Sequence, residues 1–434
     1  MVLATPKCMG TRVGRVAARP FRAFSRVDEE RVRVLQSCSR IVGRRARAAC
    51  IGGSRRQDLG MRTLMFCLAL ATSVFSQQEP RAPRARDLGI QLEGEPGLNN
   101  AITDVDGVYV GHTTLIRGDD VRTGVTAILP RGEDPQAPVF AGWFALNGNG
   151  EMTGTTWISE SGFLEGPVCI TNTHSVGVVR DAVIGWQVAR GAKLQPWSLP
   201  VVAETYDGYL NDTDGFHVTA AHVRSALDAA SDGPVPEGNV GGGTGMRTLG
   251  FKGGIGTSSR RVRVGDAVYT LGALVQSNFG RAGQLRVDGV QVGRELMRAR
   301  GQRRRDMREE QGSIIVVVAT DAPLLPHQLD RVARRVSLGI ARVGSTSGNG
   351  SGDIFLAFST ANQGAARAPE AALVMLANRR MSPLFDATVQ ATEEAILNAM
   401  IAAETMVGRS GHRSEALPHD QLRELLDRFG RLGK

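Results

Sequence analysis

Cysteine is almost missing from most of this chain. Of five Cys in 434 residues, Cys8, Cys38, Cys50 and Cys67 fall near the start and only Cys169 lies beyond. An intramolecular disulfide downstream is therefore excluded, as is a zinc site built on cysteines. The seven His are scattered, with no HExxH and no close His/Cys grouping. No metal and no cofactor are expected from such a pattern. Long hydrophobic runs are lacking too. The longest candidate, Thr63 to Phe75 (TLMFCLALATSVF), is too short for a comfortable membrane span. A real excess of basic charge is also missing from the body of the chain. The formal charge is +9, but residues 1–76 alone carry 15 Lys/Arg against 4 Asp/Glu. The remainder is slightly acidic, so the high isoelectric point is no argument for nucleic-acid binding.

The first 76 residues read in two parts. Met61-Arg62, the apolar stretch behind them and the small residues Val74 and Ser76 give the n-region, h-region and cleavage pattern of a secretory signal. A buried core helix is the alternative, and the Gln-Glu-Pro-Arg-Ala-Pro-Arg that follows speaks against it. Residues 1–60 are Arg-rich and poorly patterned, the expectation being that translation starts at Met61; an Arg-rich transit peptide is the alternative. Residues 77–96 read as a linker at the mature terminus. The expected location is secreted or periplasmic, with cytoplasmic as the alternative.

Downstream, strand-like and helix-like segments alternate with no domain-like break. Strands are expected at Gly107–Leu115, Gly124–Leu129, Ala267–Gln276, Ile314–Ala319 and Ile354–Ser359. Helices are expected at Val178–Arg190, Val218–Ala230, Val290–Arg300, from Pro326 to a stop at Gly344, from Ser382-Pro383 to about Met406, and at Gln421–Leu432. The pattern predicts one α/β domain over residues 97–434.

Four places carry chemistry. The charged stretch Arg298 to Gln311 ends at Gly312-Ser313, and the most apolar run, Ile314 to Ala319, follows at once. A permissive Gly ahead of a hydroxyl residue at the mouth of a buried strand is what a self-cleaving precursor needs. The Ser313 hydroxyl attacks the Gly312 carbonyl, and hydrolysis of the ester leaves Ser313 as a new N-terminus whose α-amine serves as base. The bland reading is a turn before a strand. Gly238 to Gly256 is Gly-rich but contains neither G-x-x-x-x-G-K-[ST] nor the third Gly of a dinucleotide fingerprint. It reads as a loop beside the active site, or equally as a structural hairpin. In Gly344 to Gly352, Ser351 and Asp353 flank Gly352 at a strand entrance, where both would reach Ser313 if the strands are neighbours; a flexible turn is the alternative. Asn278 reads as a turn residue or, through its amide, as an oxyanion donor.

The segments GLNNAITDVDGVYVGHTTL, ETYDGYLND, GNVGGGTGM, FKGGIGTSSR, VQSNFG, GSIIVVVATDAPLLP and SGNGSGDIFLAFST, in that order, are similar to those of the P1 family (S58) of self-processing serine aminopeptidases. That family includes the L-aminopeptidase/D-esterase and the β-peptidyl aminopeptidases. The resemblance implies a four-layer αββα sandwich of the N-terminal-nucleophile-hydrolase kind, built from two autoproteolytic fragments. It implies hydrolysis of N-terminal aminoacyl amide, ester or peptide bonds through an acyl-Ser313 intermediate, and a homo-oligomer of processed heterodimers. It places the supporting Ser and acid on Ser351 and Asp353, although the β-peptidyl branch has Glu where this chain has Asp353. It places Tyr206, otherwise a packed aromatic, beside Asn278 at the oxyanion. Glu204 meets the substrate ammonium or is a solvated surface Glu. Asn147, Asn149 and His174 lie in polar loops that shape the pocket. The alternatives are an acyltransferase of the ornithine-acetyltransferase type, which carries a Thr nucleophile in a different motif, and a non-catalytic binding homologue.

Overall fold

The computed structural model describes residues 82–132, 134, 137–191, 195–299 and 311–433, with the backbone only at Gln311. The expected leader and signal, and most of the charged stretch before Ser313, lie outside the described residues.

Among the described residues fourteen strands form: β1 (Tyr109–Arg117), β2 (Val121–Leu129), β3 (Val139–Gly148), β4 (Phe163–Leu164), β5 (Val168–Asn172), β6 (Val201–Thr205), β7 (Arg247–Thr248), β8 (Phe251–Lys252), β9 (Gly254–Val264), β10 (Ala267–Asn278), β11 (Gln311–Thr320), β12 (Gly350–Ser359), β13 (Met406–Val407) and β14 (Arg413–Ser414). Among the described residues the helices are α1 (Thr155–Ser161), α2 (Val176–Ala189), α3 (Ala220–Asp228), α4 (Val292–Ala299), α5 (Pro326–Arg342), α6 (Ser382–Ile401) and α7 (His419–Arg428). One sheet has six strands in the order β4-β3-β12-β11-β10-β9, and a second has four, β1-β2-β5-β6. Among the described residues only β11/β12 and β5/β6 pair in parallel, each across a connecting helix in the manner a parallel pair requires.

Period-two alternation in β11 explains the layering. Ile314, Val316 and Val318 join a core with Val332, Val336 and Ile340 of α5 and Ala391 and Ala395 of α6. Ile315, Val317 and Ala319 join another with Ile128, Ile170, Val201 and Ala203 of the smaller sheet. A strand buried on both faces reads as a continuous apolar run rather than an alternating one. Beyond the smaller sheet, Cys169 and Val202 pack on Val179, Val183 and Trp186 of α2 and Val223 of α3. The four layers are thus helix, sheet, sheet, helix.

Several expectations shift. From Arg84 onward the segment read as a linker is built into the fold: Arg84 is buried and paired with Glu237 at 2.7 Å, and Arg86 grips Glu394 at 2.9 Å. Helix α6 stops at Ile401, so Met406 opens β13 instead of ending the helix. Ser382 is the first helical residue and makes no side-chain cap, with Pro383 in the first turn. Strand β12 starts at Gly350, so the end of the small-residue loop is already ladder. Strand β9 escapes the sequence pattern because it carries Arg260 inward. That guanidinium is 1% exposed and meets Glu394 at 2.7 Å. Burial opposes the Glu394 carboxylate, yet Arg86, Arg260 and Asn100 hold its pKa below the ordinary range.

Candidate active site

Ser313 lies two residues before Ile315 on β11, so alternation turns its side chain into the space between the sheets. It is 4% exposed. Its cross-strand partner on β10 is Asn278, and its partner on β12 is Gly352. Directly opposite residues of an antiparallel pair hold their Cβ atoms about 5 Å apart on one face. The hydroxyl and the amide therefore share a face. Gly312 is required by crowding: a Cβ there would lie 2.1 Å from the Asn278 carbonyl oxygen.

The Asn278 amide is fixed at both ends. Its Oδ1 accepts from the Arg247 backbone N–H at 2.8 Å, and its Nδ2 donates to the Tyr206 carbonyl at 2.8 Å. The nitrogen is consequently the donor side of this amide. Tyr206 follows β6 directly. It is half-exposed, and its phenol folds back over Gly208, where a Cβ would meet Oη at 2.2 Å.

The Gly-rich segment is wedged between the sheets. The N–H of Gly241 donates to Thr114 Oγ1 at 2.9 Å and that of Gly242 to Thr126 Oγ1 at 3.1 Å. A Cβ on Gly242 would strike Gln276 Oε1 at 2.1 Å. Close approach explains these glycines, with the backbone donors consumed by threonines. The segment includes Arg247, whose N–H holds Asn278, so it does border the site.

Ser351 and Asp353 sit on the other face of β12. Gly352 faces the inter-sheet side, where a Cβ would meet the Asn149 carbonyl at 2.4 Å, and its two neighbours point away from it. Both are buried, and Ser351 Oγ donates to Asp353 Oδ1 at 2.5 Å. Ser351 is in register with Gly312 and Asp353 with Ile314. The pair flanks the Gly312–Ser313 bond from the face opposite the Ser313 hydroxyl.

Glu204 is buried, not a solvated surface residue. Its Oε1 accepts from the Glu151 N–H at 3.1 Å, and its Oε2 accepts from the Thr173 hydroxyl. Glu204 Oε1 and the Gly352 Cα each lie 3.1 Å from where a Gly150 Cβ would be, which brings the carboxylate next to the strand position beside Ser313. Burial pushes its pKa up, the two hydrogen bonds opposing. Among the described residues no Lys or Arg pairs with it. Such a carboxylate is suited to an incoming ammonium group.

The polar-loop residues have other tasks. Asn147 donates to the carbonyls of Ser347 and Gly348 at 2.9 and 3.1 Å, and Asn149 to that of Gly350 at 3.0 Å. They fasten the loop before β12 to β3. His174 is half-exposed, 3.2 Å from Asp214 and stacked on Phe216. Sequence reasoning missed Thr173, Gly150 and Lys252. The first two gave no signal. The third stood out as a single Lys inside a glycine-rich segment.

The chain that carries this buried serine and its opposing amide has close counterparts among known proteins. The model of peptidase family S58 matches residues 100–414. The chain belongs to that family. It is 51% identical over 370 residues to the β-peptidyl aminopeptidase BapA of Sphingosinicella microcystinivorans, spanning 81% of this chain and 93% of that protein. The solved L-aminopeptidase D-Ala-esterase/amidase of Ochrobactrum anthropi, described as a prototype serine aminopeptidase and a variant of the Ntn hydrolase fold, superposes with a TM-score of 0.76. The two are 49% identical, over 81% of this chain and 100% of that one. A Burkholderia sp. β-aminopeptidase gives a TM-score of 0.75 at 49% identity, over 80% and 99%. This S58 chain has the Ntn hydrolase fold and is a serine aminopeptidase, a hydrolase of peptide bonds.

Proposed function

We propose that this chain is a precursor that cuts itself between Gly312 and Ser313, then removes N-terminal residues from small peptides, amino-acid amides or esters. The observation that carries this reading is the shared inter-sheet face of Ser313 and Asn278, with the buried Glu204 beside it. In self-cleavage Ser313 Oγ adds to the Gly312 carbonyl carbon and the Gly312–Ser313 C–N bond breaks. The peptide becomes an ester, and the nitrogen takes the hydroxyl proton. Water then hydrolyses the ester, leaving a Gly312 carboxylate and a free Ser313 α-amine. In turnover that amine, when neutral, takes the Ser313 proton as Oγ attacks the substrate carbonyl, and passes it to the departing amine. Water repeats the sequence to release the acyl group. Asn278, with Tyr206, stabilises the oxyanion of each tetrahedral intermediate. The Ser351–Asp353 pair holds the new α-amine from the opposite face. Glu204 receives the ammonium group of the substrate's first residue. The names of the relatives support aminoacyl substrates of the β-peptidyl or the L-amino-acid/D-ester kind. Export through the Met61–Ser76 signal and assembly of processed chains into a homo-oligomer complete the reading.

Glu204→Gln tests the substrate side. The amide keeps the bond from the Glu151 N–H but loses the charge. kcat/KM for an aminoacyl amide is expected to fall about 10- to 100-fold, the size of a charge-assisted hydrogen bond of roughly 1.5–3 kcal/mol. An ester analogue without the amino group should be hydrolysed by variant and parent alike. Equal losses on both substrates would remove Glu204 from ammonium recognition.

A further inference from the structure

Lys252, at the end of β8, is fully buried, and no carboxylate pairs with it among the described residues. Only four Lys occur in a chain with 52 basic residues, so Lys at this position stands against a strong Arg bias. An unpaired buried ammonium is costly, and it persists only where its hydrogens are satisfied. Here they are: Nζ donates to the carbonyls of Gly253 at 2.7 Å, Met246 at 2.9 Å and Gly243 at 3.4 Å. Three donors on a compact head match three carbonyls, a task that the planar guanidinium fork of Arg fits poorly.

The Met246 carbonyl belongs to the same peptide group as the Arg247 N–H. That N–H is the one holding Asn278 Oδ1 at 2.8 Å. A continuous chain of hydrogen bonds therefore runs from the Lys252 ammonium through the Met246–Arg247 peptide to the Asn278 amide, and on to its nitrogen. Each link polarises the next, so a positive charge at one end strengthens the N–H donor at the other. We propose that Lys252 is a positioning residue for the oxyanion donor Asn278, acting through the Met246–Arg247 peptide. This rests on the reading of Asn278 given above. Burial, with Arg247 adding repulsion, lowers the Lys252 pKa to about 7, so the charge is fully present only below neutral pH, which is where the cycle below is read.

The test is a double-mutant cycle on fully processed protein, with an aminoacyl p-nitroanilide as substrate. Lys252→Met keeps the stem and removes the charge. It is expected to lower kcat about tenfold with KM within about twofold. In an Asn278→Ala background the same change should cost less than about twofold, because the group it acts through is gone. Lys252→Arg, which keeps a charge, should recover part of the loss and covers the case in which Lys252→Met does not fold. An unchanged kcat in Lys252→Met, or the same tenfold loss in both backgrounds, overturns the proposal and leaves Lys252 as a packing residue. If Asn278→Ala alone costs nothing, the reading of Asn278 has failed first, and the cycle separates the two failures.

Discussion

Ser313→Ala remains a single full-length chain and loses essentially all amidase activity. In the proposed mechanism one hydroxyl serves both reactions, so a single substitution is expected to remove both. The loss should reach about 10⁵- to 10⁶-fold in kcat, the range seen when a nucleophile is deleted from a covalent mechanism. The fold should survive. The deleted oxygen sits on the inter-sheet face of β11, ahead of the apolar layer of Ile315, Val317 and Ala319. Gel electrophoresis, thermal melting and a p-nitroanilide assay check the three parts together. Residual turnover above about one part in 10³ would mean that another group attacks the substrate.

Asn278→Ala carries the second large effect. Removing one preorganised oxyanion donor costs about 10²- to 10³-fold in kcat, roughly 2.7–4 kcal/mol. The truncation also releases the Arg247 N–H and the Tyr206 carbonyl from their partner. Asn278→Asp separates donation from shape. The carboxylate still accepts from Arg247 but offers no hydrogen and repels an oxyanion. It should be at least as inactive as the alanine variant and melt below the parent, because a buried carboxylate oxygen then faces the Tyr206 carbonyl. An Asp variant retaining more than about a tenth of the parental kcat would remove Asn278 from the oxyanion site. Self-cleavage should slow in both variants, since its tetrahedral intermediate carries the same charge.

Much of this architecture was legible in the residues. The Ile314–Ala319 run announced a strand buried on both faces, and the stripe from Leu329 to Val343 announced the helix that covers one of them. Four layers were not legible from periodicity. That arrangement depends on a second sheet packing against the inner face of the first, and a strand's own pattern does not say whether a helix or a sheet covers it. Strand β9 was hidden because its inward Arg260 is neutralised by Glu394, more than a hundred residues later in the chain. The Gly-rich segment read equally as a loop or a hairpin; it holds the short antiparallel pair β7/β8, and Gly254 and Gly256 are residues of β9. A Cβ at Gly256 would collide with the Ala395 carbonyl of α6 at 2.0 Å. At the site, the sequence picked out Ser313 and Asn278, and the antiparallel register sets them opposite each other. It also picked out Ser351 and Asp353, but not that β12 turns them to the far face. Face assignment there follows from the parallel register Ser313–Gly352, which no local motif encodes. Lys252 stood out as a residue type, but what it touches was unreadable for a similar reason. Its three acceptors are backbone carbonyls, which every residue possesses.

The proposed mechanism requires that the chain itself cut the bond between Gly312 and Ser313 and that Ser313 become the working N-terminus. N-terminal sequencing of the purified, active protein tests it most directly. Two fragments are expected, the smaller covering residues 313–434 and beginning Ser313-Ile314-Ile315-Val316, with the Ser313→Ala chain uncut under the same conditions. A fully active protein in which the Gly312–Ser313 bond is intact, or a smaller fragment that begins at any other residue, would contradict the account.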